Sequence, residues 1–159
     1  MITKTNLKGE QLIKKYESCM LVPYLCPAGV PTIGWGNTVY STGRKVSLKD
    51  KAISQVEADK LFRFILDLFE KDVRSLIKTD ITQNQFNALV SFAYNVGTDI
   101  DADLIAEGLG DSTLLKKINI NSNDPSIKDE FLKWNKIKGK VSKGLTSRRK
   151  IEAELYFTL

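Results

Sequence analysis

The segment from Leu21 to Val46 limits the possible folds most, because its pattern excludes a helix. Its short apolar runs are interrupted by three prolines and four glycines, at Pro23, Pro27, Gly29, Pro31, Gly34, Gly36 and Gly43. Both residue types disfavour helix interiors, and short apolar runs between turn residues are typical of strands. The segment therefore predicts a small antiparallel sheet with tight turns.

Helical periodicity surrounds this segment. Asn6 is placed to cap a first helix that ends near Glu17. Ser54 and Glu57 form a capping box, which predicts a helix of about 24 residues over 54–78. A helix of this length is expected to connect two lobes.

The pattern of the second half of the chain predicts shorter helices. Thr82 and Gln85 form another capping box, and Gly97 is placed to end that helix. Further helices are predicted to start at Ser112, at Asp124 with Pro125 in the first helical position, and at Thr146, with the last running to Tyr156. Residues 98–111 are expected to form a loop or a short helix, and the basic stretch 139–144 is expected to form a loop.

These elements predict one α+β domain over residues 1–159 that is mainly helical. An N-terminal α+β lobe over about 1–55, the connecting helix over about 54–78 and a helical lobe over about 80–159 make up the layout. Phe86, Phe92 and Trp134 fall at helical spacing among apolar neighbours, so we expect them in the core.

Composition excludes several kinds of site. The chain has no histidine, which rules out a Ser-His-Asp triad and histidine-bound metals, and we expect neither a metal nor a cofactor. The two cysteines, Cys19 and Cys26, are expected to be free thiols, although a single bridge between them is conceivable. The net charge of +5 favours an anionic partner, and we expect it to be spread along the chain. No nucleic-acid-binding motif is recognisable.

A candidate constellation begins where the first helix ends. Eight residues separate Glu17 from Cys26, and five separate Cys26 from Thr32. The partial negative charge at a helix C-terminus favours a protonated carboxyl group, so Glu17 is suited to donate a proton. Thr32 can hold a water molecule, although a β-branched residue also suits any half-buried strand.

Five motifs occur in the order seen in phage-type lysozymes: IKKYES, YLCPAGVPTIGWGNT, QNQFNALVSFAYNVG, STLLKKIN and GLTSRRKIEAELY. The chain resembles these endolysin muramidases over most of its length. The resemblance implies a lysozyme-like, two-lobed fold with the sugar chain between the lobes. It also implies a bacteriolytic glycosidase that cuts the β-1,4 bond between N-acetylmuramic acid and N-acetylglucosamine in peptidoglycan.

The resemblance assigns the catalytic positions to Glu17, Cys26 and Thr32. Glu17 corresponds to the acid that protonates the glycosidic oxygen. Cys26 stands where many relatives have aspartate, and three roles stay open for it. It could be a thiolate that acts as electrostatic partner or nucleophile, a neutral thiol that positions water with Thr32, or a small structural residue.

The resemblance also names supporting residues. Arg148 matches an arginine that reaches the catalytic glutamate, and the alternative for Arg148 and Arg149 is a solvated helix start. Ser112 matches a residue of the cleft wall that contacts sugar. Asn37 replaces a histidine found in many relatives, so any ion pair of that histidine is absent. The segment 98–111 is longer and more acidic than usual in the family.

Two rival functions stay open. A lytic transglycosylase needs only one carboxyl group, whereas Thr32 and the full motif favour hydrolysis. A peptidoglycan-binding module with weakened activity is suggested by the missing aspartate.

The expected partner is the glycan strand, bound by a monomer without nucleic acid or stable membrane insertion. The chain has no apolar run of about 18 residues and no recognisable signal peptide. We therefore expect synthesis in the host cytoplasm and release to the wall through a holin-like pore.

Overall fold

The structure is a computed structural model that describes residues 2–101 and 107–158. The elements in chain order are α1 (Leu7–Glu17), β1 (Met20–Leu25), β2 (Pro31–Gly34), α2 (Gln55–Leu76), α3 (Gln83–Val96), α4 (Thr113–Ile120), α5 (Ile127–Leu132), β3 (Lys136–Ile137), β4 (Lys140–Val141) and α6 (Lys143–Tyr156). The predicted α+β class, mainly helical with a small antiparallel sheet, is confirmed. Among the described residues, no helix combines the length and the apolar character needed to cross a bilayer.

The chain divides into two compact units. The smaller unit comprises Leu12–Leu68, and the larger comprises Met1–Gln11 with Phe69–Leu159. The division falls within α1 and within α2, so each of these helices supplies residues to both units. The predicted lobe boundaries stay a prediction.

In the smaller unit, β1 pairs with β2 in the antiparallel sense. Tyr24 lies opposite Thr32, and the register is irregular between Met20 and Tyr24. Ile33 of β2 belongs to a buried cluster with Val46 and Leu61, and Tyr40, Ile53 and Ile65 pack against it. The sheet predicted from the proline and glycine pattern is therefore present, and its apolar side chains supply part of the core.

Local capping bonds fix the ends of the first two helices. The Asn6 side-chain oxygen accepts the backbone N–H groups of Lys8 at 3.1 Å and Gly9 at 3.4 Å. At the start of α2, the Glu57 carboxylate accepts the Ser54 N–H at 2.7 Å, and the Ser54 hydroxyl accepts the Glu57 N–H at 3.2 Å. Both predicted caps are confirmed, and α2 ends two residues before the predicted boundary.

The larger unit is helical around an aromatic core. The Thr82 capping box opens α3, and Gly97 ends it with a φ of 102°. Phe86 and Phe92 are fully buried, as predicted. The Phe92 ring packs edge-on against Phe131, at 5.6 Å between centroids, and against Trp134, at 5.4 Å.

Two helix starts differ from the prediction. α6 begins at Lys143 instead of Thr146, because the Ser142 hydroxyl accepts the Leu145 N–H at 3.3 Å and caps the helix earlier. α5 begins at Ile127, two residues after Pro125, because a tight turn in which Asp124 accepts the Ser126 N–H at 2.8 Å comes first.

The stretch predicted as a basic loop contains a short hairpin. β3 pairs with β4, and Lys138 and Gly139 at its turn have φ values of 49° and 78°. Two consecutive residues with positive φ are typical of the tight turn that joins hairpin strands. The hairpin escapes sequence reasoning because each strand has only two residues.

The segment 98–111 is partly described. Residues 98–101 and 107–111 form loop structure, whereas residues 102–106 lie outside the described residues.

Candidate active site

Glu17 is the last residue of α1 and lies against a glycine turn. The helix ends there because Ser18 adopts a φ of 43°. A Cβ atom placed on Gly36 would lie 2.8 Å from a carboxylate oxygen of Glu17, which shows how closely the carboxyl group approaches the turn. Gly36 also has a φ of 85°, a conformation that glycine adopts without strain. The half-buried Glu17 carboxyl group is thus held against backbone.

Cys26 lies at the turn that follows β1, surrounded by backbone N–H groups. Its carbonyl accepts the Gly29 N–H at 2.8 Å, and its N–H donates to the Val30 carbonyl at 3.1 Å. The pKa of the Cys26 thiol is lowered, mainly because the Val30 N–H bonds to the sulfur. The N–H groups of Ala28 and Gly29 add to this effect, and burial opposes it. The turn therefore favours a thiolate.

Thr32 on β2 adjoins the same sulfur. Its side chain is buried, and its hydroxyl donates to the Val30 carbonyl at 2.9 Å. The hydroxyl also lies within hydrogen-bond reach of the Cys26 sulfur and helps to lower the pKa of that thiol. A hydroxyl carries one proton, so it serves one of these acceptors at a time and keeps lone pairs for another donor.

Tyr24 is a residue of this site that sequence reasoning missed. It lies opposite Thr32 in the strand pair, so both side chains leave the sheet on the same face. Burial raises the pKa of Tyr24, and the negative charges of Glu17 and Cys26 raise it further. The phenol is thus close to both groups, and the smaller unit brings Glu17, Tyr24, Cys26 and Thr32 together. The signal that could have identified Tyr24 is the strand register, which places it opposite Thr32.

Three side chains, those of Lys14, Trp35 and Asp59, form a polar clamp that supports the turn around Gly36. The Trp35 indole N–H donates to Asp59 at 2.9 Å, and the Lys14 ammonium contacts the same carboxylate at 3.0 Å. The ammonium also lies 4.8 Å from the ring centroids of Trp35 and Phe62, a favourable cation–π distance. Because Lys14 is one turn before Glu17, Asp59 ties the end of α1 to the turn that carries Gly36. Sequence spacing gave no signal for this clamp.

Asn37 closes the turn. Its side-chain oxygen accepts the Trp35 N–H at 3.2 Å, and its backbone bonds twice with Ile33 at 2.9 Å. The side chain is buried, and its amide nitrogen has no hydrogen-bond partner among the described residues. Asn37 therefore stabilises the turn through hydrogen bonds to the backbone of Trp35 and Ile33.

Arg148 and Arg149 belong to the larger unit and are buried. The Arg148 guanidinium donates to Glu152 at 3.0 Å and to the Ser91 carbonyl at 3.0 Å. Arg149 lies 3.2 Å from the other Glu152 oxygen and stacks on Phe92. Burial raises the pKa of Glu152, and the guanidinium groups of Arg149 and Arg148 oppose that effect. The alternative of a solvated helix start is therefore wrong, whereas the contact of Arg148 with Glu17 stays a prediction.

Ser112 is buried as the N-cap of α4. Its hydroxyl accepts the Leu115 N–H at 3.0 Å and donates to the Leu109 carbonyl at 2.6 Å. Both bonds stay within its own unit, and this geometry favours a capping role. Its contact with sugar stays a prediction.

One group of carboxylates has the spacing for a cation. Asp99, Asp101 and Asp111 bring an oxygen each within 4.8 Å of one another, the only such group among the residues described. One Asp99 oxygen already accepts the backbone N–H groups of Glu107 and Gly108, both at 3.1 Å. These bonds attach the Asp99 side chain to the backbone of residues 107 and 108. Cys19 and Cys26 are free thiols in the structure.

Comparison with known proteins identifies the family of the chain. The profile described as "Phage lysozyme" matches residues 14–152. The endolysin of Bacillus phage B103 is 39% identical over 150 residues, which cover 94% of this chain but 52% of that protein. The chain thus spans about half the length of that relative. The endolysin of Salmonella phage P22 is 31% identical over 150 residues, covering 94% of this chain and 95% of that protein.

A solved structure gives the same result for the fold. The endolysin from Escherichia coli O157:H7 phage FAHEc1 superposes with a TM-score of 0.81 at 34% identity, covering 99% of this chain and 94% of that one. The lysozyme-like fold predicted from the motifs is confirmed. The chain belongs to the phage lysozyme family, and its predicted class, a glycoside hydrolase of the muramidase type, is confirmed at the level of that family.

Proposed function

We propose that the protein is an endolysin that hydrolyses the β-1,4 bond between N-acetylmuramic acid and N-acetylglucosamine in peptidoglycan. The observation that carries the proposal is the Glu17 carboxyl group held against Gly36, in the same unit as the Cys26 sulfur and the Thr32 hydroxyl. Family membership supports the reaction class. The substrate is the glycan strand, and the expected form is a monomer.

Glu17 supplies the proton. As the glycosidic C1–O bond breaks, the leaving oxygen takes the carboxyl proton, and positive charge develops on the muramyl ring. The contact with the Gly36 turn limits the positions that the carboxyl group can adopt. Such restriction favours catalysis because a proton donor must lie within hydrogen-bond distance of the oxygen that it protonates.

Cys26 and Thr32 act on the water. The lowered pKa of Cys26 supports the thiolate among its three possible roles, and a thiolate stabilises the positive charge on the sugar ring. The Thr32 hydroxyl donates to Val30, so its lone pairs accept a proton of the attacking water. The water oxygen bonds to C1, and the proton that it releases passes to the thiolate. Solvent later takes this proton from the Cys26 thiol and returns a proton to Glu17, which restores both groups.

The remaining assignments follow the family. Arg148 is proposed to contact the Glu17 carboxylate, with Glu152 and Ser91 fixing the arginine side chain. Ser112 is proposed to shape the sugar-binding wall through the start of α4. The place of action is the cell wall, reached after release from the cytoplasm through a holin-like pore.

The test of the proposal is Glu17→Gln. Removing the acid is expected to lower the rate of lysis of permeabilised Gram-negative cells by roughly 100- to 10,000-fold. Its melting temperature should stay within about 2 °C of the wild type, because the substitution keeps the size of the side chain. Retained lysis would refute the role of Glu17, and an inactive wild type would favour the binding module.

A further inference from the structure

The positive charge of the chain is concentrated in one segment. Residues 131–151 contain eight of the 24 basic residues and none of the 19 acidic residues. The rest of the chain has 16 basic against 19 acidic residues. The expectation of an evenly spread charge is therefore wrong, because the net positive charge resides in this segment.

Much of this charge lies on the hairpin formed by β3 and β4. We call residues 136–143 the basic hairpin. Lys136, Lys138, Lys140 and Lys143 are all exposed on it. The Ser142 N–H donates to the Asn135 carbonyl at 2.8 Å, and the strands pair with Lys136 opposite Val141. Backbone bonds thus fix the strands from which the lysines extend.

These lysines are not neutralised within the part of the chain that the structure describes. There, no carboxylate lies within 4.0 Å of the ammonium groups of the hairpin lysines or of the exposed Lys150. The nearby Lys133 differs, since it pairs with Glu130 at 2.9 Å. An open groove of about 530 Å³ lies between Val141 of the hairpin and the Lys143, Lys150 and Glu154 side chains of α6, so it has a carboxylate as well as two lysines in its lining.

The basic hairpin also exposes apolar side chains among the lysines. Ile137 is 49% exposed and Val141 is 65% exposed. A hydrated polyanion would leave these side chains in water. Each face of the strand pair carries one lysine and one apolar side chain, Lys136 with Val141 and Lys140 with Ile137. When the turn of the hairpin enters the surface of a bilayer, the lysines can contact lipid phosphates while the apolar side chain of each face enters the region between headgroups. The combination favours anionic lipid over a soluble polyanion.

We propose that the basic hairpin is a docking surface for an anionic lipid bilayer. The hairpin meets the bilayer with its turn first, because Ile137 and Val141 lie on opposite faces of the strand pair. The lysines bind headgroup phosphates, and the two apolar side chains insert between the headgroups on either side of the hairpin. The contact is superficial and reversible, and it needs no membrane-spanning helix. Because vesicles contain no glycosidic bond, the docking can be tested independently of the proposed hydrolysis.

The test uses sedimentation with vesicles of equal parts phosphatidylglycerol and phosphatidylcholine. The full chain is expected to bind them and to bind pure phosphatidylcholine far more weakly. Replacing Lys136, Lys138 and Lys140 by Gln should weaken binding by on the order of 100-fold, since each lysine near an anionic surface contributes about fivefold. The matched control replaces the exposed Lys45, Lys49 and Lys51 by Gln, with the same change in net charge. Its binding should stay within about threefold of the wild type.

A second variant distinguishes lipid from other polyanions. Ile137→Ser combined with Val141→Ser should weaken vesicle binding by roughly tenfold and leave binding to soluble polyphosphate unchanged. Circular dichroism and the melting temperature verify that each variant is folded. Equal losses in the two lysine triples would overturn the proposal. The proposal would also be overturned if the serine variant bound vesicles as tightly as the wild type and the wild type bound polyphosphate as tightly as vesicles. That result would indicate a general polyanion site.

Discussion

At the scale of single residues, the proposed site has a cysteine, Cys26, where the resemblance predicts an aspartate in many relatives. A thiol is normally neutral at pH 7, and it substitutes for a carboxylate only if its surroundings stabilise the anion. Three consecutive backbone N–H groups and the Thr32 hydroxyl provide that stabilisation and lower the pKa of the thiol. The turn that follows Cys26 thus stabilises a negative charge that a thiol in water does not carry at pH 7.

The pH dependence of lysis tests this role. A lowered pKa means that the thiolate is present above that pKa and is lost as the pH falls through it, so activity should fall on the acid side. Cys26→Asp should move this acidic limb to lower pH, because the reference pKa of aspartate is about 3.9. Cys26→Ser should lower kcat by about 100-fold above the pKa of the thiol, and by less below it, where the wild type also lacks the thiolate. Full activity of Cys26→Ser would exclude thiol chemistry and leave only the positioning of water.

At the scale of elements, the end of α1 and the glycine turn act as one unit. The turn brings Gly36 against the Glu17 carboxylate, and the clamp of Trp35, Asp59 and Lys14 supports both elements. The clamp is only half-buried, so solvent screens its ion pair and it adds little to overall stability. Its contribution is to hold the carboxyl group in place.

Gly36→Ala tests this coupling. Alanine in the left-handed region should lower the free energy of unfolding by about 1 kcal/mol, and the added Cβ would lie 2.8 Å from a Glu17 oxygen and displace it. We expect a loss of lysis of roughly 100-fold, as for displacements of about 1 Å in other sites.

Gly43→Ala is the matched control for this substitution. Gly43 has a φ of 82° and no atom within 4 Å of an added Cβ, so the backbone strain is similar and the carboxylate is untouched. It should lose comparable stability and keep its activity. Equal activities of the two variants would show that the turn does not position Glu17.

At the scale of the whole molecule, the larger unit has a charged network in its core. Glu152 accepts the Ser91 hydroxyl at 2.7 Å and pairs with Arg148 and Arg149. All these side chains are buried. Removing one member of such a network leaves an uncompensated buried charge, which costs far more than the network contributes when complete.

Glu152→Gln should therefore lower the free energy of unfolding by about 3–5 kcal/mol, or the melting temperature by roughly 10 °C. Glu154→Gln, two residues away and exposed, should change it by no more than about 0.5 kcal/mol. Thermal unfolding followed by circular dichroism measures both. Equal melting temperatures would mean that the network adds nothing to stability.

What the sequence predicts depends on how local the determinants are. The caps at Asn6, Thr82 and Gly97 were predictable because their partners lie within four residues. The bond from Trp35 to Asp59 joins residues 24 apart, and the bond from Ser91 to Glu152 joins residues 61 apart. No periodicity or spacing reports such pairs.

The same limit applied to the site. The positions of Glu17, Cys26 and Thr32 followed from the family motif, whereas the pKa of Cys26 depends on the turn geometry. Tyr24 required the strand register. The basic hairpin was missed because two-residue strands have no alternating pattern to detect.

The central claim is that water attacks the muramyl carbon after Glu17 protonates the leaving oxygen. Digestion of purified murein in ¹⁸O-labelled water, followed by mass spectrometry, tests it most directly. Hydrolysis predicts reducing-end N-acetylmuramic acid with one ¹⁸O atom per bond cut, and no such product above background with Glu17→Gln. Products that end in 1,6-anhydromuramic acid without the label would contradict the claim, because the ring would then have closed on itself as in a lytic transglycosylase.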